Sequence, residues 1–205
     1  IGFEQGDVYL ASLKFRLANF LGQFCAHRII VCSQALADWV SRTHKVSRRR
    51  LAVFYNCVDT ERFHASTSPG DLIDFPQPEC ATLFCAVGTL GKGVNKRVDV
   101  CIRAVSRARA KGADVGLVVC GDGELRGELE KLASELRVAE HVRFLGTRSD
   151  VDAVMRGCDA FCHAAAFEPF GIVCVEAMAT GLPVLVPNAG GIVEEIPGFA
   201  AGSRL

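Results

Sequence analysis

The sequence predicts an α/β fold in which a parallel sheet is covered by helices on both faces, and two observations carry this. From Cys80 onward, short runs that are apolar throughout alternate with longer segments of helical periodicity. The strand-like runs are also unbroken in hydrophobicity, which marks strands buried on both faces and hence a parallel sheet. Such an open sheet gathers its ligand at the carboxyl ends of its strands. Residues that directly follow strands are therefore the candidates for chemistry.

In chain order, residues 8–24 place apolar side chains at helical spacing around Lys14 and Arg16, which predicts an amphipathic helix. His27–Ser33 contains a short β-branched strand, and Ser33 suits the N-cap of a helix over Gln34–Arg42. Residues 42–50 gather Arg42, His44, Lys45, Arg48, Arg49 and Arg50. The ordinary reading of that run is a solvated loop; the sharper one, with an amphipathic helix upstream, is contact with anionic lipid headgroups. Residues 51–56 read as another strand, and residues 57–78 are crowded with Asp, Ser, Pro and Gly, which makes them the best candidate linker. Beyond it come strands at residues 81–88, 116–121, 142–146, 159–165 and 182–187. The helices between them are expected over 97–111, 124–137, 149–156 and 170–180.

The chain has 205 residues, half of them hydrophobic, 22% charged, and no formal net charge. That is ample for a globular core, and the neutral balance argues against nucleic acid as the main partner. Apolar runs are broken before bilayer-spanning length, so no transmembrane helix is expected. The chain begins at Ile1 without a signal pattern and is read as an excerpt of something longer. Ten cysteines are many, but Cys85, Cys120, Cys162 and Cys174 lie inside apolar runs and no C-x-x-C occurs. Reduced, buried thiols in a cytoplasmic protein are expected, and no metal site.

The richest stretch is Phe167–Gly181, F-E-P-F-G-I-V-C-V-E-A-M-A-T-G, in which Glu168 and Glu176 are separated by seven residues. Pro169 and Gly171 mark a turn into a helix that is apolar around its circumference, which predicts burial. A carboxylate there needs a partner, and the local sequence offers Glu176 none. The free N–H groups of Phe170, Gly171 and Ile172 would form an anion site at the helix start. Carboxylates for hydroxyls beside amides for phosphate suggest a sugar nucleotide.

Other motifs have bland readings beside the sharp ones. Gly121-Asp122-Gly123-Glu124 lacks the G-x-G-x-x-G spacing of a dinucleotide fingerprint, since the next glycine is Gly127. It reads as a tight strand-to-helix turn, with a nicotinamide-dependent dehydrogenase as the weaker alternative. His163, alone in an apolar strand, reads as a core residue. From Gly88 to Asp99, the glycines with Thr89, Lys92, Lys96 and Arg97 form either a solvated loop or a close backbone approach with lysines for a diphosphate. Asn188-Ala189-Gly190-Gly191, followed by Glu194, is a second glycine-rich turn leading into a helix.

These residues together resemble family 4 of the retaining glycosyltransferases, which have the GT-B fold. E-P-F-G-I-V and E-A-M-A-T-G-L-P-V, at Glu168 and Glu176, are similar to the family's two-glutamate signature. G-T-L with K-R-V-D, C-G-D-G-E, V-R-F-L-G, G-G-I-V-E and, in the linker, Asn56-Cys57-Val58-Asp59 fall in the family's order. The resemblance implies that residues 1–60 are the tail of an N-terminal Rossmann-like domain, 61–78 a linker, and 79–205 a C-terminal Rossmann-like domain that binds a nucleotide sugar. It implies that Glu168 and Lys96 are catalytic, Glu168 holding a donor-sugar hydroxyl and Lys96 facing the diphosphate. Glu176 would hold the ribose hydroxyls, and Phe170, Gly171 and Ile172 would offer amides to sugar and phosphate. Gly88, Thr89, Lys92, Arg148, Gly190 and Gly191 complete the implied donor set, with the backbone near Thr147 and Arg148 reading the base.

The implied reaction moves a hexose-type sugar, with retention, from a nucleotide diphosphate donor to a glycan or lipid-linked acceptor, without metal or other cofactor. The implied location is the cytoplasm, with peripheral membrane contact through the N-terminal part. The family commonly has arginine where Thr89 stands, and its loop before Lys96 is shorter, so Lys92 is the expected substitute in the phosphate clamp. The family's N-terminal domain supplies the acceptor site, so the chain alone is expected to transfer nothing. Two rivals stand beside this reading: a non-catalytic nucleotide-binding or scaffold module of the same fold, and a GT-B sugar-nucleotide epimerase.

Overall fold

The computed structural model describes residues 2–4, 27–65, 74–92, 96–194 and 196. The amphipathic helix expected over 8–24 lies outside them. The chain forms two compact units, one comprising Ile1–Cys57, Phe167–Gly171 and Asn188–Leu205, the other Val58–Ala166 and Ile172–Pro187.

The first unit holds three parallel strands, β1 (Gly2–Glu4), β2 (Ile29–Val31) and β3 (Leu51–Val53), in spatial order β1-β2-β3. Helix α1 (Gln34–His44) connects β2 to β3 and buries Leu36, Ala37 and Val40. Ser33 caps it as expected: its backbone is extended and its hydroxyl accepts the Leu36 N–H at 3.0 Å. The helix stops at Lys45, which takes a left-handed conformation at φ 58°. The cationic run expected as a loop thus contains the last turn of α1 and a 3-10 turn over Arg48–Arg50. Part of its charge is spent locally, since Arg48 pairs with Asp38 at 3.3 Å and with the Gln34 amide oxygen. The strand expected over 51–56 ends at Val53. Phe54 still donates to the Val31 carbonyl at 2.8 Å, but its side chain is 69% exposed.

The second unit is a five-stranded, wholly parallel sheet of β4 (Thr82–Val87), β5 (Val115–Cys120), β6 (Val142–Gly146), β7 (Ala160–Cys162) and β8 (Val184–Leu185). The order is β6-β5-β4-β7-β8, so succession runs outward from β4 in one direction and then reverses to β7 on its other side. That reversal is the topological switch point where open sheets bind ligands. Helices α2 (Val98–Ala110), α3 (Arg126–Glu135), α4 (Val151–Arg156) and α5 (Ile172–Ala179) make the connections. The interior strand β5 is buried from Gly116 to Cys120, which is what its unbroken apolar run demands. The nine described cysteines are all unbridged, and Cys85, Cys120, Cys162 and Cys174 are buried.

One expectation needs correction. The helix read over 170–180 begins at Ile172, and it is not buried all round: Cys174 and Ala177 are buried, while Ile172 is 36% exposed. Within its unit α5 rests chiefly on α4 and β8, too small a base to cover a whole circumference. Glu176 is in consequence half-buried rather than enclosed.

Candidate functional site

In the second unit the carboxyl ends of β4, β5 and β6 are tied together by backbone. The Gly88 N–H donates to Cys120 at 2.9 Å and the Gly121 N–H to Gly146 at 2.8 Å. Leu90 donates to Asp122 at 2.9 Å, and Leu125 donates to Leu90 at 2.9 Å. Gly121 has φ +140°, and a Cβ there would stand 1.9 Å from the Gly88 carbonyl oxygen. The Gly121–Glu124 motif is therefore the tight turn from β5 toward α3 that its spacing suggested. Asp122 is consumed by that turn, accepting from the Gly123 N–H at 2.8 Å and from Arg126 at 3.0 Å. Those two contacts, the Gly123 amide first, hold its carboxyl below the usual range.

The β4–α2 loop begins on this floor. Lys96 lays its aliphatic stem over Gly88, its Cγ 3.2 Å from where a Cβ would sit. Thr89 is exposed and Leu90 buried. A groove of about 540 Å³ is lined by Thr89, Lys96 and Asp99 on one side and by Leu125, Glu128 and Leu132 on another. Lys92 lies 3.8 Å from Glu128, a pair exposed on both sides and of little energetic weight. Arg97 is held by Asp99 through contacts of 3.0 and 3.2 Å.

On the β6–α4 loop the Arg148 guanidinium is forked onto Asp150 at 2.8 and 2.6 Å, which holds that carboxyl low. His163 is buried and stacks on Phe161, as a core histidine would. Glu176 is different in kind. Among the described residues its carboxylate makes no hydrogen bond or ion pair. Burial pushes its carboxyl above the usual range, and the Arg62 charge opposes that shift. Arg62 itself is bonded to Asp152 at 3.1 Å and to the Ser149 carbonyl, so it does not supply Glu176 with a hydrogen-bonding partner.

In the first unit, Glu168, Phe170, Gly171, Gly190 and Gly191 come together. Gly191 donates to the Glu168 carbonyl at 2.8 Å. A Cβ on Gly191 would lie 2.1 Å from the Pro169 oxygen, and one on Gly190, at φ +74°, would lie 2.3 Å from the Glu168 oxygen. Phe170 is buried with its ring 6.3 Å from that of Tyr55. Ser33, fully buried, donates to the Pro169 carbonyl at 2.5 Å. Glu194 is engaged by protein groups: it accepts the Gln34 and Ala35 N–H groups at 2.9 and 2.7 Å and the Tyr55 hydroxyl at 3.1 Å. A carboxylate on the first amides of a helix satisfies orphan donors and complements the helix dipole. Glu194→Ala is expected to lower stability by about 1–2 kcal/mol, read by chemical denaturation. Sequence reading missed Ser33 as a brace for Pro169, and it missed Tyr55 and Arg62. Arg62 stands three residues beyond the Asn56-Cys57-Val58-Asp59 stretch as a visible cation, whereas nothing local marks Tyr55.

Against known proteins, the model of the family described as Glycosyl transferases group 1 matches residues 74–202. The chain belongs to that family. Among curated relatives of this group 1 chain, a lipopolysaccharide core biosynthesis glycosyltransferase of Rhizobium meliloti is 35% identical, over 89% of this chain and 49% of its own length. An uncharacterized glycosyltransferase of Methanocaldococcus jannaschii is 29% identical, over 87% of this chain and 46% of its own. The chain spans about half the length of the curated relatives it matches. Among solved structures, Anabaena HepE in complex with UDP and glucose aligns with a TM-score of 0.73 and 26% identity, over 88% of this chain and 50% of that one. WaaG, a glycosyltransferase involved in lipopolysaccharide biosynthesis, aligns with a TM-score of 0.71 at 22% identity, over 95% of this chain and 58% of that one, and shows the fold alone. The α/β fold is the GT-B type expected. Among the described residues no helix is long and apolar enough to cross a membrane, and no group of three or more His, Cys, Asp or Glu is placed to hold a metal ion.

Proposed function

We propose that this chain carries the donor-binding half of a family 4 retaining glycosyltransferase that moves a hexose-type sugar from a nucleotide diphosphate to a glycan or lipid-linked acceptor. The observation that carries the reading is Glu176: a half-buried carboxylate, raised by desolvation, with its accepting oxygens uncommitted among the described residues. A vicinal diol such as ribose supplies two hydroxyl donors to such a group and relieves its desolvation. The UDP complex of HepE and the glycosyltransferase relatives support a nucleotide-sugar donor here as well.

In this proposal Glu168 takes a donor-sugar hydroxyl, and Phe170, Gly171 and Ile172 turn backbone amides toward sugar and phosphate. Lys96 faces the diphosphate and stabilises the charge that develops as it departs, with Thr89, Lys92 and the Gly88 backbone beside it, and no metal is needed. Gly190 and Gly191 act by seating the Glu168–Pro169 backbone, and the Arg148 loop reads the base. The basic run at Arg42–Arg50 is the proposed peripheral membrane contact on the cytoplasmic side.

The test is UDP binding by calorimetry to the protein that carries this chain. Glu176→Ala is expected to weaken UDP by about 10–100-fold, the range for losing a charged hydrogen-bond partner. Unchanged affinity would sink the assignment. Turnover with an α-configured donor, followed by NMR of the product anomer, separates a retaining transferase from a non-catalytic module. Epimerised sugar formed from the donor without acceptor would instead indicate an epimerase, whereas simple hydrolysis would not.

A further inference from the structure

We propose that Ser33 is a positioning residue for the donor sugar, its buried hydroxyl fixing the backbone from which Glu168 reaches a sugar hydroxyl. The inference rests on the reading of Glu168 as the donor-sugar carboxylate.

Capping a helix uses only the lone pairs of a serine, because the cap oxygen accepts. Ser33 does this for the Leu36 N–H at 3.0 Å and has one O–H proton left to place. That proton goes across 136 residues of sequence to the Pro169 carbonyl, at 2.5 Å. Ser33 is fully buried, so bulk water does not compete for the contact. The preceding carbonyl is held too, since Glu168 accepts from the Gly191 N–H at 2.8 Å. Two successive peptide planes are thus pinned around a proline whose ring already fixes φ. The direction in which Glu168 leaves the backbone is set by those planes.

The neighbouring residues leave room for this contact and little else. Gly191 is buried, and a Cβ on it would lie 2.6 Å from the Ser33 hydroxyl oxygen and 2.1 Å from the Pro169 oxygen. At Gly190, a Cβ would lie 2.8 Å from the Glu168 nitrogen. The Glu168 stem runs beside Gly171, its Cγ 3.3 Å from the Cβ position there, and the fully buried Ile192 crowds that same position at 3.0 Å. Glu194 takes the Gln34 and Ala35 N–H groups, which ties the Gly190–Glu194 turn to the helix end that Ser33 caps. A capping role accounts for the Leu36 contact alone. The bond to Pro169 is the part that acts on Glu168.

The experiment is calorimetry with UDP-glucose and with UDP as probes, on the protein that carries this chain. The variants are Ser33→Gly, Ser33→Thr, Glu168→Gln and the Ser33→Gly, Glu168→Gln double variant. Glycine is the informative replacement because it remains an acceptable N-cap while removing the hydroxyl, and Ser33→Ala takes its place if the glycine variant does not fold. Ser33→Gly is expected to weaken UDP-glucose about five- to tenfold, a share of what a hydroxyl–carboxylate bond contributes, and to change UDP by less than about twofold. Ser33→Thr, which restores the hydroxyl, is expected to bind both probes within about twofold of wild type. In the Glu168→Gln background, removing the Ser33 hydroxyl should cost UDP-glucose less than about twofold, because two residues acting through one contact are not additive. Equal weakening of UDP and UDP-glucose, an undiminished Ser33 effect in the Glu168→Gln background, or a lower Tm with both affinities unchanged overturns the proposal. Glu168→Gln that binds UDP-glucose as wild type does overturns the sugar role of Glu168 together with it, whereas a Glu168→Gln defect beside an unaffected Ser33→Gly overturns the Ser33 role alone.

Discussion

Lys96→Met in the protein that carries this chain is expected to lower kcat by about 10²–10³-fold, the range found when one preorganised stabiliser of developing charge is removed. The expectation is that KM changes much less. Methionine is the informative replacement because the lysine stem has a second job, lying over Gly88 with Cγ 3.2 Å from the position of a Cβ. An alanine would open that contact, whereas methionine keeps the stem and deletes the ammonium group. In the proposed reaction the charge would matter most late, when the sugar–oxygen bond breaks and the leaving diphosphate gains charge, so its loss would fall on kcat. Steady-state kinetics with a chromatographic product assay would show it. A kcat within about threefold of wild type would remove Lys96 from the diphosphate and leave Thr89 and Lys92 to account for it.

Gly121→Ala is expected to destabilise the second unit by about 3–5 kcal/mol, combining an unfavourable left-handed conformation with a steric conflict in a close-packed place. The added methyl would stand 1.9 Å from the Gly88 carbonyl oxygen and 2.9 Å from its carbon, and those atoms are backbone. Relief would require β4 and β5 to part where the Gly88 N–H meets the Cys120 carbonyl. Urea denaturation followed by circular dichroism measures this directly. By contrast Gly127→Ala, in the exposed first turn of α3 with nothing within 4 Å of the new methyl, should be neutral or slightly stabilising. Equal midpoints for the two variants would refute the close-approach argument.

The fold was legible because it depends on repeated local signals. Apolar runs such as those of β4 and β5 can only be strands buried on both faces, and the intervening periodic segments can only cover them. Ser33 announced the start of α1 through its residue type, and the structure shows the predicted hydroxyl-to-amide contact. Helix ends were less legible: α5 starts at Ile172, past the turn that Gly171 makes at φ +95°. Its burial was overestimated, because circumference hydrophobicity states what a helix could bury and only its neighbours state what it does bury.

The candidate site divides in the same way. Which residue types gather after strands, and the spacing of Glu168 and Glu176, were readable from the sequence, because both follow from where the chain turns. How those groups are held was not. Glu194 and Gly191 sit more than 130 residues from Ser33, yet Glu194 caps α1 and Gly191 leaves room for the Ser33–Pro169 contact. Arg62 meets Asp152 from the linker, 90 residues away, for the same reason. By itself the sequence determined the parallel α/β sheet, the order of its elements and the identity of the two glutamates, since period, turn chemistry and residue type act over a few residues. Only the tertiary structure decided which charges are spent on the protein, as with Asp122, Arg148 and Glu194, and which are left uncommitted among the described residues, as with Glu176, because pairing across a fold depends on distances that no local pattern encodes.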